Sequence, residues 1–282
     1  MKLRTFCAAA AAAAVMLGTA SCTENTAVSS DPPKIVENTV SIGKISSVEA
    51  DLGVTELFLR LGDKNEVHYR VREDLVPKIS ENDGKLSVRK QYTGGYNYTG
   101  SDDDNYVEIT LTEKELAGLD ISDSAGDVFI EGFEAGGRVI TTSGSISLKN
   151  MGGGKNIEFD SSSGGVGLYD CTFGRITGET SSGSAYLENV TADRINLHTS
   201  SGSASVKLAS LCNTDINASS GNITVSLPCK EEGCDLDISA SSGDITVGGV
   251  KTEKKYERDT GSGILIKCQS SSGDIEVSFS GS

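Results

Sequence analysis

The chain has 282 residues and a formal net charge of −15, with 33 glycines, no tryptophan and 5% aromatic residues. An acidic surface argues against nucleic acid and against anionic lipid headgroups as partners. The length suits one elongated β domain, and the low aromatic content points to a core of small aliphatic side chains.

Residues 1–21 read as a secretory leader: Lys2 and Arg4, then the alanine-rich apolar run Phe6–Leu17, too short to span a membrane comfortably. The leader ends in Leu17-Gly18-Thr19-Ala20-Ser21-Cys22. Small residues directly before a cysteine resemble the lipobox of bacterial lipoproteins. That resemblance implies cleavage before Cys22 and a lipid on its sulfur, which anchors the chain without a transmembrane helix. Of 25 basic and 40 acidic residues, Lys2 and Arg4 go with the leader, so the net charge moves from −15 to −17. Residues 22–38, with Pro32-Pro33, read as a flexible tether.

The domain is expected over 39–282. Its N-terminal portion holds alternating strands at Val48–Leu52, Leu57–Leu61, Val67–Val71 and Lys85–Lys90. Gly53-Val54-Thr55-Glu56-Leu57 is a degenerate copy of the later repeat, so this portion should be an irregular cap on a repetitive fold. An insertion follows at 92–106, with Tyr92, Tyr96 and Tyr98 among glycines and the run Asp102–Asp104. Thr112–Ala117 could form one helical turn before the ladder resumes.

From Ser124 onward a unit recurs, clearest as Ser241-Ser242-Gly243-Asp244-Ile245-Thr246-Val247. Its glycines are Gly126, Gly144, Gly164, Gly183, Gly202, Gly221, Gly243 and Gly273, spaced by 18, 20, 19, 19, 19, 22 and 30 residues. Apolar residues stand two and four places after each glycine, for example Ile146 and Leu148. Later repeats carry a second pair seven and five places before it, for example Ile195 and Leu197. A third column, seven places on, runs Phe133, Met151, Cys171, Val190, Ala209, Pro228 and Val250. Each repeat therefore holds two half-buried strands and a corner. Coils of about 19–20 residues bury these faces only by stacking, about 4.8 Å apart. The predicted fold is all-β: a right-handed parallel β-solenoid, or β-helix, with an irregular N-terminal capping part. The glycine is expected to supply a turn with positive φ, and the hydroxyls before it to bond turn backbone. A second insertion, 251–261, should project as a hairpin or loop.

The join Val107–Leu111, Leu119–Ile121, Ser124–Val128, followed by Ser-Ser-Gly-Asp-Ile repeats, resembles the bacterial putative-adhesin domains of unknown function. The resemblance spans roughly Val40–Phe279. It implies a β-solenoid on a lipoprotein or membrane-attached protein, and no catalytic motif.

The chemistry-bearing residues are sparse. His68 and His198 are the two histidines, with no spacing suited to zinc, and no cofactor is expected. Asn222, Asp244 and Asp274 share a slot that could bridge calcium or simply form turns. Arg175 and Arg194 stack beside Asp193, fit for an anionic sugar or for an exposed charge pair. The tyrosines Tyr92, Tyr96 and Tyr98 are the best candidate ligand contacts, since their rings can stack on sugar or peptide. Five cysteines remain after Cys22. Cys171 and Cys268 fall in apolar columns. Cys212 and Cys234 each stand nine before their glycine, which would put them on adjacent coils within disulfide reach. The rival pairing is Cys229 with Cys234, across Lys230–Gly233. The expected function is a non-catalytic, lipid-anchored envelope adhesin, on the outer membrane or cell surface, binding a glycan or protein. An envelope scaffold or sensing accessory and a polysaccharide-active β-helix enzyme are the alternatives.

Overall fold

The computed structural model describes residues 4–6, 34–91 and 105–281. Two long sheets face each other across one aliphatic core. Sheet 1 contains the strands that follow the repeat glycine, and sheet 2 those that precede it. The regular region is parallel and in the expected register: Val128, Ile146, Val166, Ala185, Ala204 and Ile223 stack in one row of sheet 1. In sheet 2, Val139, Phe159, Gly178, Leu197 and Ile216 do the same. These side chains alternate with outward ones, as period-two patterning requires. The fold is a β-solenoid. No α-helix occurs among the described residues, so none of them forms a helix able to cross a membrane.

The repeat glycines answer a different need from the one expected. None has positive φ. Instead, a Cβ on Gly144, Gly164, Gly183, Gly202 or Gly221 would overlap the carbonyl of the glycine one coil before it. Backbone rides directly on backbone there, and only glycine leaves the room. Positive φ belongs to the corner six places later, at Gly132, Asn150, Asp170 and Asn189 (φ 93°, 53°, 54° and 55°). Asparagine and aspartate tolerate that left-handed geometry. Their side chains also link coils: Asn189 Nδ2 donates to Asp170 Oδ1 at 2.6 Å and Asn150 Nδ2 to Glu131 Oε1 at 3.1 Å.

The ends do not continue the sequential stacking. Leu265–Ser270 and Ile275–Phe279 form a coil inserted between Asn213–Leu227 on one side and Asp235–Val247 on the other. The coil order is thus Gly221, Gly273, Gly243. Segment 228–234 must therefore climb two coil levels, about 10 Å, which explains the 22-residue spacing. Segment 251–261 does not project. Val250–Thr252 and Lys255–Arg258 pair antiparallel with the last coil and cap it, so Val250 leaves the corner column and is 66% exposed. Ala209 is also exposed, and Leu208 replaces it beside Val190.

The N-terminal end has the same logic. Ser47–Asp51 and Glu56–Leu61 lie against Gly118–Asp123 and Val128–Glu131, while Tyr106–Leu111 and Lys85–Arg89 stack outside them. Ile35–Ser41, whose first four residues fall in the expected tether (22–38), is a strand antiparallel to Glu66–Arg72. Arg4–Phe6, within the stretch read as leader, pairs antiparallel with Lys78–Asn82. Segment 112–117 forms no helical turn and is tied by the bridge between Glu115 and Glu134.

The glycine stack is testable. Gly202→Ala should destabilise the domain by about 3 kcal/mol or more, because the clash is with backbone. Gly165→Ala, where the added carbon would meet Ser184 O at an ordinary 3.6 Å, should be nearly neutral. Thermal or urea unfolding of the two variants makes the comparison; equal stability would show that the coils can move apart at no cost.

Candidate functional site: the outer faces of the solenoid

With both inner faces sealed, recognition is left to the outward side chains. Sheet 1 carries an aromatic strip. Phe58 and Phe129 stack on adjacent strands, centroids 4.9 Å apart and planes 6° from parallel, and Tyr106 meets Phe58 edge-on at 6.3 Å. The Arg60 guanidinium lies 4.7 Å from the Phe58 centroid. Tyr106 Oη and His68 Nε2 are 3.1 Å apart, and His68 Nδ1 is 2.9 Å from Thr39 Oγ1, so His68 is held in a surface network.

Farther along the same face the strip becomes open to solvent. The next outward slots in the Phe129 row are Ser147, Gly167 and Tyr186. A Cβ at Gly167 would overlap the Tyr169 ring. The missing side chain therefore leaves room for the Tyr169 ring to pack over Gly167. Tyr186 stands on the neighbouring strand, 49% exposed. Beside this pair run Lys149, Glu188 and Lys207, the last two 3.6 Å apart. A half-buried ring next to an exposed one, bordered by hydroxyl and charged groups, can stack against an apolar ligand face and hydrogen-bond its rim.

Sheet 2 offers a cavity of about 280 Å³, lined by Thr177, Glu179, Asn196, His198, Asp215 and Asn217. These belong to two outward rows on three consecutive strands. Asn217 Nδ2 donates to Asp215 Oδ1 at 2.9 Å, and Lys267 Nζ lies 3.8 Å from the other Asp215 oxygen. Glu179 and Asp215 are two strands apart, about 10 Å. The groove is a field of hydrogen-bond donors and acceptors.

The sequence-derived candidates fall unevenly. Cys22, Tyr92, Tyr96, Tyr98 and Asp102–Asp104 lie outside the described residues. Arg175 and Arg194 are directly paired in register, as expected. Asp127 and Asp274 act as turn acceptors, each taking a backbone N–H from the adjacent coil, and Asn222 does the same. Among the described residues no cluster of metal-ligating side chains forms. Cys212 and Cys234 are not on adjacent coils: Leu265–Ser270 runs between their strands, so the equal-slot argument fails and the two stand about 10 Å apart. Cys171 and Cys268 are buried, as their columns implied, and burial raises both thiols, Cys268 to about 12.

The core-defined repeat does not single out the aromatic strip. A signal for it exists all the same: Phe129 and Tyr186 stand three places after their glycines, Tyr169 five, in slots that other repeats fill with small or polar residues.

A buried polar row closes the turns. Three places before the glycine stand Thr141, Ser161, Thr180 and Thr199. Thr141 Oγ1 donates to Gly144 O at 2.6 Å and Ser161 Oγ to Gly164 O at 2.7 Å. At the head of this row is Asp123, 6% exposed, accepting from Gly126 N at 3.0 Å and Ala125 N at 3.2 Å. Burial pushes its carboxyl up to about 7; the backbone donors oppose the shift and Asp51 adds to it.

These features describe a repetitive, non-helical scaffold whose outer faces are free to bind. The chain belongs to the Toastrack DUF4097 family, whose model matches residues 45–278. A solved structure from Bacteroides fragilis, named a putative adhesin, aligns over 86% of this chain and 97% of its own, at 13% identity and TM-score 0.56. At that identity it supports the fold. A putative adhesin from Parabacteroides distasonis aligns over 86% and 97% at 12% identity and TM-score 0.47. A putative lipid binding protein from the same species aligns over 88% and 95% at 14% identity and TM-score 0.44. No curated protein matches the chain.

The raised Asp123 pKa has a definite sign. The folded state takes up a proton that the unfolded chain releases near pH 4, so the contribution is complete below that value and is lost as pH rises through 7. Asp123→Asn should raise stability at pH 8, on the order of 2–4 kcal/mol, and flatten the stability profile between pH 4 and 7. Urea melts across that range read both effects.

Proposed function

We propose that this chain is a non-catalytic, lipid-anchored adhesin of the bacterial cell envelope. Its sheet 1 face engages an extracellular glycan or protein. The observation that carries this reading is the Tyr169 ring packed over Gly167 beside the exposed Tyr186. Rings already packed on a rigid sheet lose little entropy on binding. The sheet 2 groove supplies a second polar surface, and Tyr92, Tyr96 and Tyr98 extend the aromatic content of the chain close in sequence to the strip. Attachment through Cys22 follows from the small-residue run before it; cleavage there removes Arg4–Phe6 and leaves Lys78–Asn82 paired with Lys85–Arg89, and the 11 residues from Thr23 to Pro33 would hold Ile35–Ser41 and the strands after it off the membrane. The negative charge disfavours a nucleic acid ligand.

A glycan and matrix-protein array with residues 22–282 tests the reading. Discrete hits are expected, and Tyr169→Ala with Tyr186→Ala should weaken them at least roughly tenfold, as for central aromatic contacts. Product release from a glycan would turn the reading toward an enzyme, and silence toward a scaffold with a partner in the same envelope. Anchoring is tested separately. A fatty-acid analogue should label the wild-type chain in cells and leave Cys22→Ala unlabelled; equal labelling would reject the lipid anchor.

A further inference from the structure

The segment 228–234 that climbs over the inserted C-terminal coil holds two cysteines. It is folded back on itself: Glu231–Gly233 makes a single 3₁₀ turn and Gly233 N donates to Lys230 O at 2.9 Å. A Cβ on Gly233 would sit 2.9 Å from Cys229 Cβ, so glycine is what lets the two ends of the turn close. Cys229 Sγ lies 3.2 Å from that same Cβ position, so its thiol faces the turn that ends at Cys234.

Every element of the C-terminal end converges on this pair. Gly281 N donates to Cys229 O at 3.0 Å, tying down the tail. Arg258, from the capping hairpin, lies beside both thiols, pairs through Nη1 with Glu231, and sits 5.5 Å from the ring centroid of Phe279 in the inserted coil. Arg258 Nε and Nη2 are buried in this cluster. The competing cysteine, Cys212, is occupied by Thr214 Oγ1 at 3.6 Å on a coil two levels from Cys234.

We propose that Cys229 and Cys234 form a disulfide that staples the climbing segment and so clamps the inserted C-terminal coil between its neighbours. Glutathione disulfide, or an oxidoreductase disulfide, is the oxidant. The half-exposed Cys229, as thiolate, attacks one sulfur of the oxidant and releases the first thiol. Cys234, its proton passed to solvent, then displaces the second thiol from the mixed disulfide. One S–S bond breaks and one forms; two electrons go to the oxidant, which departs as two thiols carrying two protons. Burial raises both thiols, Cys234 to about 12, while Arg258 works the other way, so the reaction should be slow and favoured by mild alkali.

The test uses residues 22–282 equilibrated with glutathione and glutathione disulfide, alkylated, and digested without reduction. A peptide linking Cys229 to Cys234 is expected, and Cys212→Ser should retain it. The oxidised protein should melt about 5 °C above the reduced protein, and Cys229→Ser should abolish that difference. A link to Cys212, or Cys229 and Cys234 both alkylated after equilibration, overturns the disulfide. A link that leaves the melting temperature unchanged overturns the clamp.

Discussion

The close approach of one coil's backbone to the next, at the repeat glycines, is the constraint on which the rest depends. Each glycine carbonyl occupies the space a Cβ would need on the following coil. That contact fixes the coil separation at the turn to what the strand hydrogen bonds require on either side. With the spacing pinned, like side chains fall over like, and small aliphatic residues fill the interior without aromatic bulk. The buried hydroxyls of Thr141 and Ser161 satisfy the carbonyls of Gly144 and Gly164 from within. The tight turn therefore leaves those polar groups paired, which matters because an orphaned buried carbonyl is costly.

How much is legible in the sequence follows from the same constraint. Inward slots are restricted by stacking, so their period survives in the residue order, and the rows Val128 to Ile223 can be read without coordinates. The reason for the glycines cannot. A glycine needed for close approach and one needed for positive φ look alike in a sequence, and the left-handed corner is carried instead by Asn150, Asp170 and Asn189. Outward slots are free, so a departure there carries more information than a repetition. Phe129, Tyr169 and Tyr186 are such departures, and they look like noise against a pattern defined by the core.

Reading by period also assumes that neighbours in sequence are neighbours in space. That holds from Gly126 to Gly221 and fails afterwards, when Gly273 rather than Gly243 rests on Gly221. The irregular spacings mark the place. The three extra residues before Gly243 are the length needed to pass over an empty level, and the longer run before Gly273 contains the hairpin that turns the chain back to fill it. The pairing of Cys212 with Cys234 fails for this reason alone: equal offsets from a glycine mean adjacency only while the stacking is sequential.

The inserted coils change how such a fold behaves as a physical object. In a simple solenoid each coil touches only its sequence neighbours, and the terminal coils can fray independently. Here the final coil is hydrogen-bonded on both sides, to Ala218 and Ser219 below and to Asp244 above, so it cannot leave without opening the cap. The first coil, Ser47–Leu61, is held in the same way between the N-terminal cap and Gly118–Glu131. Contacts distant in sequence therefore close both ends of an otherwise local structure. Short antiparallel strands carrying Lys251, Lys255, Glu257 and Arg258 finish the C-terminal edge, which discourages pairing with further copies. Among the described residues, a sealed interior and capped ends leave the two broad outer faces for recognition. The aromatic strip lies along one of them, on strands whose spacing the glycine stack holds fixed, so its rings are presented at set intervals and not on mobile loops.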